Sequence, residues 1–178
     1  MKSSQNTLLK ISLLSLAIVG CSSETYQEVG SYNPNSLIAQ SLNSCHQKDI
    51  SEGKKALEKV MTNEKANPLY WNALGICYTL SNQPLKANFY FELGLEAITL
   101  YKGADKAFAE AALINNIGLM HLSYKRFNDA YTAFKKAELL APENFSIQLN
   151  ISQLFLEFKH DEKALIVLKK LEFYMSKI

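Results

Sequence analysis

The sequence is poor in the residues that build closely spaced turns, disulfide frameworks and nucleic-acid surfaces. Its 178 residues include 7 glycines and 4 prolines, too few for the turn-rich chain of a β-sandwich. Three cysteines are too few for a disulfide scaffold. Beyond the first 20 residues, 17 basic side chains balance 17 acidic ones. Nucleic-acid binding needs clustered cations, so we expect no nucleic-acid partner.

Long hydrophobic runs are also missing. The apolar run at residues 11–19 has nine residues, whereas a transmembrane helix needs about 20. Apolar residues nonetheless make up 48% of the chain, which favours a packed core over disorder. These properties predict a small, mostly helical, soluble body.

The amino terminus has the features of an export signal. Lys2 and Lys10 precede the apolar run at 11–19, a pattern typical of a secretory leader. The segment Ile18-Val19-Gly20-Cys21 resembles the lipobox of bacterial lipoproteins. This resemblance implies that residues 1–20 are removed as a signal peptide and that Cys21 carries a covalent lipid, with no other cofactor. An ordinary signal peptide, or a frayed apolar terminus, is the alternative.

The residues after Cys21 bear on where the chain resides. Ser22 follows the cysteine, where enterobacterial lipoproteins retained at the inner membrane have aspartate. The resemblance therefore implies an outer-membrane anchor, on the periplasmic face, if the cell has an outer membrane. Residues 21–36 contain Gly30, Pro34 and several Ser and Asn, and they are interpreted as a linker. We expect contact with the membrane through the lipid alone.

The rest of the chain repeats itself. Small residues lie twelve positions before an alanine in three segments: Gly75 and Ala87, Gly118 and Ala130, Ser152 and Ala164. A large apolar residue follows each alanine by four: Phe91, Phe134 and Leu168. The first segment also has Trp71, Leu74 and Tyr78, and the second has Ala137 and Pro142. This pattern resembles the tetratricopeptide repeat (TPR), a 34-residue helix–turn–helix unit with W-x₂-L-G-x₂-Y and A-x₃-F signatures.

The resemblance implies an all-α solenoid. We expect an array over 68–178, made of repeats at 68–101, 111–144 and 145–178, and a degenerate helical pair at 37–67. In that pair Ser44, Ala56 and Val60 take the repeat positions. The predicted helices are 36–47, 51–63, 69–81, 84–101, 104–123, 127–140, 144–158 and 161–175. Ala87 and Ala130 are 43 residues apart, which predicts longer helices on either side of a break at Gly103.

The sequence offers little for catalysis. His46, His121 and His160 have no second ligand at metal-binding spacing, and no glycine-rich phosphate loop is present. We therefore predict no enzyme, no metal site and no small-molecule substrate. Cys45 and Cys77 fall on the first helices of successive repeats. They could form a disulfide or be two small buried residues, and the sequence leaves both open.

The remaining function is protein binding. In TPR proteins the first helices line a concave groove that takes a segment of a partner. By phase, the groove would be lined by Asn72, Ile76, Thr79, Leu80, Asn115, Asn116, Leu119, Leu122, Leu149, Asn150 and Gln153. The asparagines could bind a partner's backbone amides or could serve the solenoid itself.

Two partner classes follow from the resemblance. Pilotins and other assembly lipoproteins of pili hold secretin subunits or pilus components, and other TPR lipoproteins are scaffolds for envelope enzymes such as peptidoglycan hydrolases or a protease. The last helix ends in the apolar segment 171–175. Because solenoid ends need covering, this segment predicts a partner, self-association, or packing back on the preceding helices.

Overall fold

The computed structural model describes residues 36–47 and 49–175, without the side chains of 174 and 175. Within these residues it has eight α-helices and no strand. They are α1 (Leu37–His46), α2 (Ile50–Glu64), α3 (Pro68–Leu80), α4 (Pro84–Leu100), α5 (Lys106–Ser123), α6 (Phe127–Leu140), α7 (Phe145–Glu157) and α8 (Asp161–Met175). The all-α prediction is confirmed. The predicted signal peptide at 1–20, Cys21 and the linker up to residue 35 lie outside the described residues.

Helix starts follow the local sequence. The side chain of Asn67 accepts a hydrogen bond from the Leu69 amide at 3.0 Å, and Asn144 accepts one from the Ile147 amide at 3.2 Å. Each bond satisfies an amide that has no partner within its helix. Pro84 occupies the first turn of α4, where its missing N–H costs nothing.

The helices pair as four successive hairpins: α1 with α2, α3 with α4, α5 with α6, and α7 with α8. The first helices also contact one another, α1 with α3, α3 with α5, and α5 with α7. The core is accordingly a row of three apolar clusters, lying between α1 and α3, between α3 and α5, and between α5 and α7. The hairpins therefore stack in chain order.

Three of the hairpins turn in the same way. Asn82, Lys125 and Lys159, each in the turn after a first helix, have φ angles of 55°, 57° and 57°. In each turn the next backbone amide donates to a carbonyl five residues earlier, as Gln83 does to Tyr78 at 2.9 Å. This is the Schellman arrangement that closes a helix with one residue in the left-handed region. The turns lie 43 and 34 residues apart, the same spacings as the alanines of the sequence repeat.

Close contact within two hairpins depends on glycine. A Cβ added at Gly75 would overlap the ring of Phe91, and one added at Gly118 would overlap the ring of Phe134. Both rings are fully buried. The glycines therefore let each second helix bring a phenyl ring against the first helix, a contact that a larger residue would prevent.

The extra residues between the second and third hairpins lengthen two helices. α4 has 17 residues and α5 has 18, whereas the other helices have 10 to 15. The segment 101–105 separates them, and there the Tyr101 hydroxyl donates to Asp105 at 2.8 Å. The predicted extension on both sides of a break at Gly103 is confirmed.

The register predicted for the amino-terminal hairpin is wrong by three residues. The Asp49 amide donates to the Ser44 carbonyl at 3.0 Å, so Ser44 corresponds to Tyr78 rather than to Gly75. The small positions are instead Ser41 and Gly53, both buried and twelve residues apart. Leu57 fills the aromatic position, whereas the predicted Ala56 and Val60 are half-buried.

A disulfide joins the first and second hairpins. Cys45 on α1 is bonded to Cys77 on α3, with 5.4 Å between their Cα atoms. Both side chains are buried in the cluster between these helices. A Cβ at Gly53 would overlap both the Cys45 sulfur and the Ser41 carbonyl oxygen, so this hairpin has glycine where the others have alanine. The alternative that the sequence left open, two separate buried cysteines, is thereby excluded.

Candidate partner-binding surface

The first helices α3, α5 and α7 lie side by side, since α3 contacts α5 and α5 contacts α7. Ile76, Leu119 and Gln153 each follow the small residue of their hairpin by one position, so they form a row across the three helices. Thr79 and Leu122 form a second row one turn further along. The two central rows of the predicted groove therefore share one repeat phase on helices that contact one another in succession.

The asparagines of this region bond to each other. Asn116 Nδ2 donates to Asn72 Oδ1, and Asn150 Nδ2 donates to Asn115 Oδ1, both at 2.8 Å. Asn72, Asn115 and Asn150 have exposed fractions of 7% or less, and Asn116 is half-buried. These amides link successive first helices, so they serve the stack, which was one of the two interpretations open from the sequence.

The exposed part of the face is small and centred on α5. Leu119 is 36% exposed, and Thr79 is exposed but donates its hydroxyl to the Gly75 carbonyl at 2.9 Å. Five other predicted groove residues are half-buried: Ile76, Leu80, Leu122, Leu149 and Gln153. Ile76, Leu80 and Leu122 also pack against the core clusters. A partner would therefore meet a shallow apolar surface with Leu119 at its centre.

The repeat-defining residues build the support for this surface. Nine of them are buried: Leu74, Gly75, Ala87, Phe91, Gly118, Ala130, Phe134, Ala137 and Ala164. Trp71 is half-buried and donates its ring N–H to the Lys65 carbonyl at 2.8 Å. Pro142 is exposed after α6, and its carbonyl accepts a bond from Gln148 Nε2 at 2.9 Å. These side chains fix how the first helices stand relative to one another.

An aromatic and cationic group on the second hairpin was missed by the sequence reasoning. Tyr78 stacks on Tyr90 with ring centres 5.0 Å apart, and the ammonium groups of Lys54 and Lys86 lie 4.7 and 5.4 Å from the Tyr78 ring. In the last hairpin the ammonium group of Lys163 lies 5.8 Å from the centre of the Phe155 ring. Lys163 and Phe155 occupy the repeat positions that Lys86 and Tyr78 occupy in the second hairpin. The recurrence of a lysine and an aromatic residue at the same two repeat positions could have been recognised in the sequence.

Five titratable groups of the described residues have shifted pKa values, and Tyr70 and Glu138 are two of them. Burial raises the pKa of Tyr70 to about 12, and its hydroxyl has no hydrogen-bond partner within the described structure. For Glu138, burial raises the pKa, but hydrogen bonds from Lys135 and Gln148 outweigh it, so the pKa falls below its ordinary value of 4.5. Tyr70 is in the core and Glu138 joins two hairpins, so neither faces the candidate surface.

Within residues 36–47 and 49–175, no three His, Cys, Asp or Glu side chains gather as a metal site would require. None of the helices in this part of the chain is long and apolar enough to cross a membrane. No protein-family model matches the sequence, and no curated protein matches it. The function has therefore to be inferred from the chain's own residues and contacts.

Proposed function

We propose that this protein is a TPR adaptor that binds a segment of a partner protein on the face of α3, α5 and α7. The observation that carries the proposal is the phased set of three left-handed turns at Asn82, Lys125 and Lys159, together with the contacts between first helices. Helix–turn–helix units that repeat in this way stack their first helices side by side and present an extended binding surface.

The chemistry of the face favours an apolar partner segment. Leu119 is its most exposed apolar side chain, and Ile76 and Leu122 lie beside it on neighbouring turns and helices. Each asparagine pair makes one hydrogen bond between neighbouring first helices, and Asn72, Asn115 and Asn150 are buried, so little of these amides is accessible to a partner's backbone. An amphipathic helix or extended segment with a few apolar anchors fits such a surface.

The sequence of the amino terminus supports a location of this adaptor at the cell envelope. The leader at 1–20 and the lipobox ending in Cys21 support a lipid anchor, and Ser22 supports delivery to the outer membrane of a cell that has one. A lipid-anchored TPR adaptor resembles pilotin-like assembly lipoproteins, so a secretin subunit or pilus component is the proposed partner. Scaffolding of envelope enzymes, such as peptidoglycan hydrolases or a protease, is the alternative.

The test is capture of the partner with a matched pair of variants. The tagged full chain would be purified from gently solubilised membranes, and the proteins that accompany it identified by mass spectrometry. Leu119→Glu places a charge at the centre of the surface, so we expect loss of at least about 90% of the partner. Leu139→Glu is the control, because Leu139 is 84% exposed on the second helix α6.

The outcomes separate the hypotheses. Recovery of a secretin or pilus component that Leu119→Glu loses and Leu139→Glu keeps supports the proposal. Hydrolases or a protease with the same dependence on Leu119 would leave the binding surface in place and replace the pilus assignment by the scaffold. If both variants lose the partner equally, or if both retain it, a binding site on α5 is contradicted.

A further inference from the structure

The outer side of α8 carries a stripe of exposed apolar side chains. Leu165, Ile166 and Phe173 have exposed fractions of 39%, 68% and 56%. Their spacing of one and seven residues places them on one side of a helix with 3.6 residues per turn. Ala164 and Leu171, on the opposite side, are buried against the stack. The stripe therefore faces away from the hairpins that precede it.

Two opposite charges lie within this stripe. Glu162 precedes Ile166 by four residues and Lys169 follows it by three, so both lie on the same side of α8 as the apolar residues. Both side chains are exposed, and neither is in an ion pair within the described structure. We call the four residues Glu162, Leu165, Ile166 and Lys169 the α8 stripe.

The order of these residues is self-complementary in one orientation. If two copies of α8 pack antiparallel about a two-fold axis between residues 165 and 166, Glu162 of each copy faces Lys169 of the other. In the same arrangement Leu165 faces Ile166, so apolar groups meet at the axis. A parallel arrangement would instead bring Glu162 against Glu162 and Lys169 against Lys169, which is repulsive.

We propose that the α8 stripe is a dimer interface, at which a second copy of this chain packs its own α8 antiparallel. A two-fold interface of this kind closes on itself and produces a dimer rather than a filament. The stripe lies on a second helix, whereas the proposed partner surface lies on first helices, so the dimer is independent of the function proposed above. The small area of one helix pair predicts a weak dimer, with a dissociation constant of micromolar order.

Sedimentation of the purified full chain in a mild detergent, with the detergent mass subtracted, measures this association. We expect monomer and dimer to exchange as the concentration varies from about 1 to about 200 μM. Ile166→Glu should weaken the dimer at least about 100-fold, because it puts like charges at the two-fold axis. Phe89→Glu is the matched control: Phe89 has the same place in its hairpin and is 58% exposed, and this variant should dimerise normally.

Charge reversal tests the orientation. Glu162→Lys and Lys169→Glu, made separately, should each weaken the dimer about tenfold, because each puts like charges opposite one another. The combined variant exchanges the charges and should restore the dimer to nearly the original strength. All of these positions are exposed, and circular dichroism would verify that each variant is folded.

Several results would overturn the proposal. A chain that stays monomeric over the whole concentration range has no such interface. A dimer mass that persists in Ile166→Glu would show that two chains only share a micelle or use another surface. If Phe89→Glu dissociates the dimer as strongly as Ile166→Glu does, the interface is not the α8 stripe. Failure of the combined variant to recover the dimer would overturn the antiparallel pairing.

Discussion

At the scale of single residues, Lys125 and Lys159 occupy a backbone conformation that favours glycine. Both have φ of 57°, where a side chain with a Cβ costs about 1 kcal/mol and glycine costs nothing. Lys125→Gly should therefore stabilise the protein by about 0.5 kcal/mol, after the greater freedom of glycine in the unfolded chain is subtracted. Equilibrium unfolding in urea measures this change. The same substitution at Lys159 should have a similar effect.

The control for this prediction is glycine in an ordinary helical position. Lys59 is exposed within α2, so Lys59→Gly should destabilise by about 1 kcal/mol. A destabilisation of the same size by Lys125→Gly would show that the turn has no preference for glycine. The sequence repeat predicts where these turns fall along the chain. It does not predict their left-handed backbone, because these positions hold lysine rather than glycine.

At the scale of elements, the carboxylate of Glu138 joins α6 to α7, and its charge contributes to the stability of the fold. Gln148 is buried, and its Nε2 donates to Glu138 at 3.0 Å. The pKa of Glu138 is lowered in the folded state, so the stability that its charge contributes is present above the ordinary value of 4.5. That contribution is lost as the pH falls through the lowered pKa. Acid should therefore weaken the junction of the third and fourth hairpins.

Glu138→Gln isolates this contribution, since every other carboxylate titrates in both proteins. We expect the variant to be less stable than the original chain by about 1 kcal/mol at neutral pH, and the gap to close as the pH falls through the lowered pKa of Glu138. Urea unfolding of both proteins at several pH values measures the gap. A gap that does not change with pH would mean that the charge of Glu138 contributes nothing.

The helices themselves could be predicted closely from the sequence, because caps and periodicity are local. The helices predicted at 69–81 and 144–158 begin within one residue of α3 at Pro68 and of α7 at Phe145. The amino-terminal hairpin was predicted in the wrong register, since Gly53 replaces the expected alanine and Ser41 is a weak marker of a helix contact. The glycine is needed because the Cys45 sulfur and the Ser41 carbonyl oxygen of α1 lie against Gly53, and a local pattern in α2 does not contain these contacts.

At the scale of the whole molecule, the sequence predicts which residues belong to the candidate surface but not how exposed each of them is. The phase of the repeat placed Ile76, Leu119 and Gln153 in one row. It could not show that Asn72 and Asn115 are buried by asparagines of the next hairpin, because that depends on the distance between stacked helices. Periodicity gives the direction of a side chain, whereas burial depends on the neighbouring element that covers it.

The stack also predicts that stability is unevenly distributed along the chain. A protein whose units contact mainly their neighbours loses its end units first. α2 buries only Gly53 and Leu57 among its 15 residues, so the amino-terminal hairpin packs on the stack mainly through α1. The Cys45–Cys77 bond spans 32 residues and ties this hairpin to α3. A cross-link over such a loop stabilises by about 3 to 4 kcal/mol.

Reduction of this bond should therefore release the amino-terminal hairpin before the rest of the stack. We expect hydrogen exchange of the amides in α1 and α2 to accelerate by at least about 100-fold on reduction, with little change in α5 to α8. The Cys45→Ala/Cys77→Ala variant should show the same exchange in the absence of reductant and no further change with it. Uniform acceleration in all helices would contradict independent release, and no acceleration would mean that packing alone secures the hairpin.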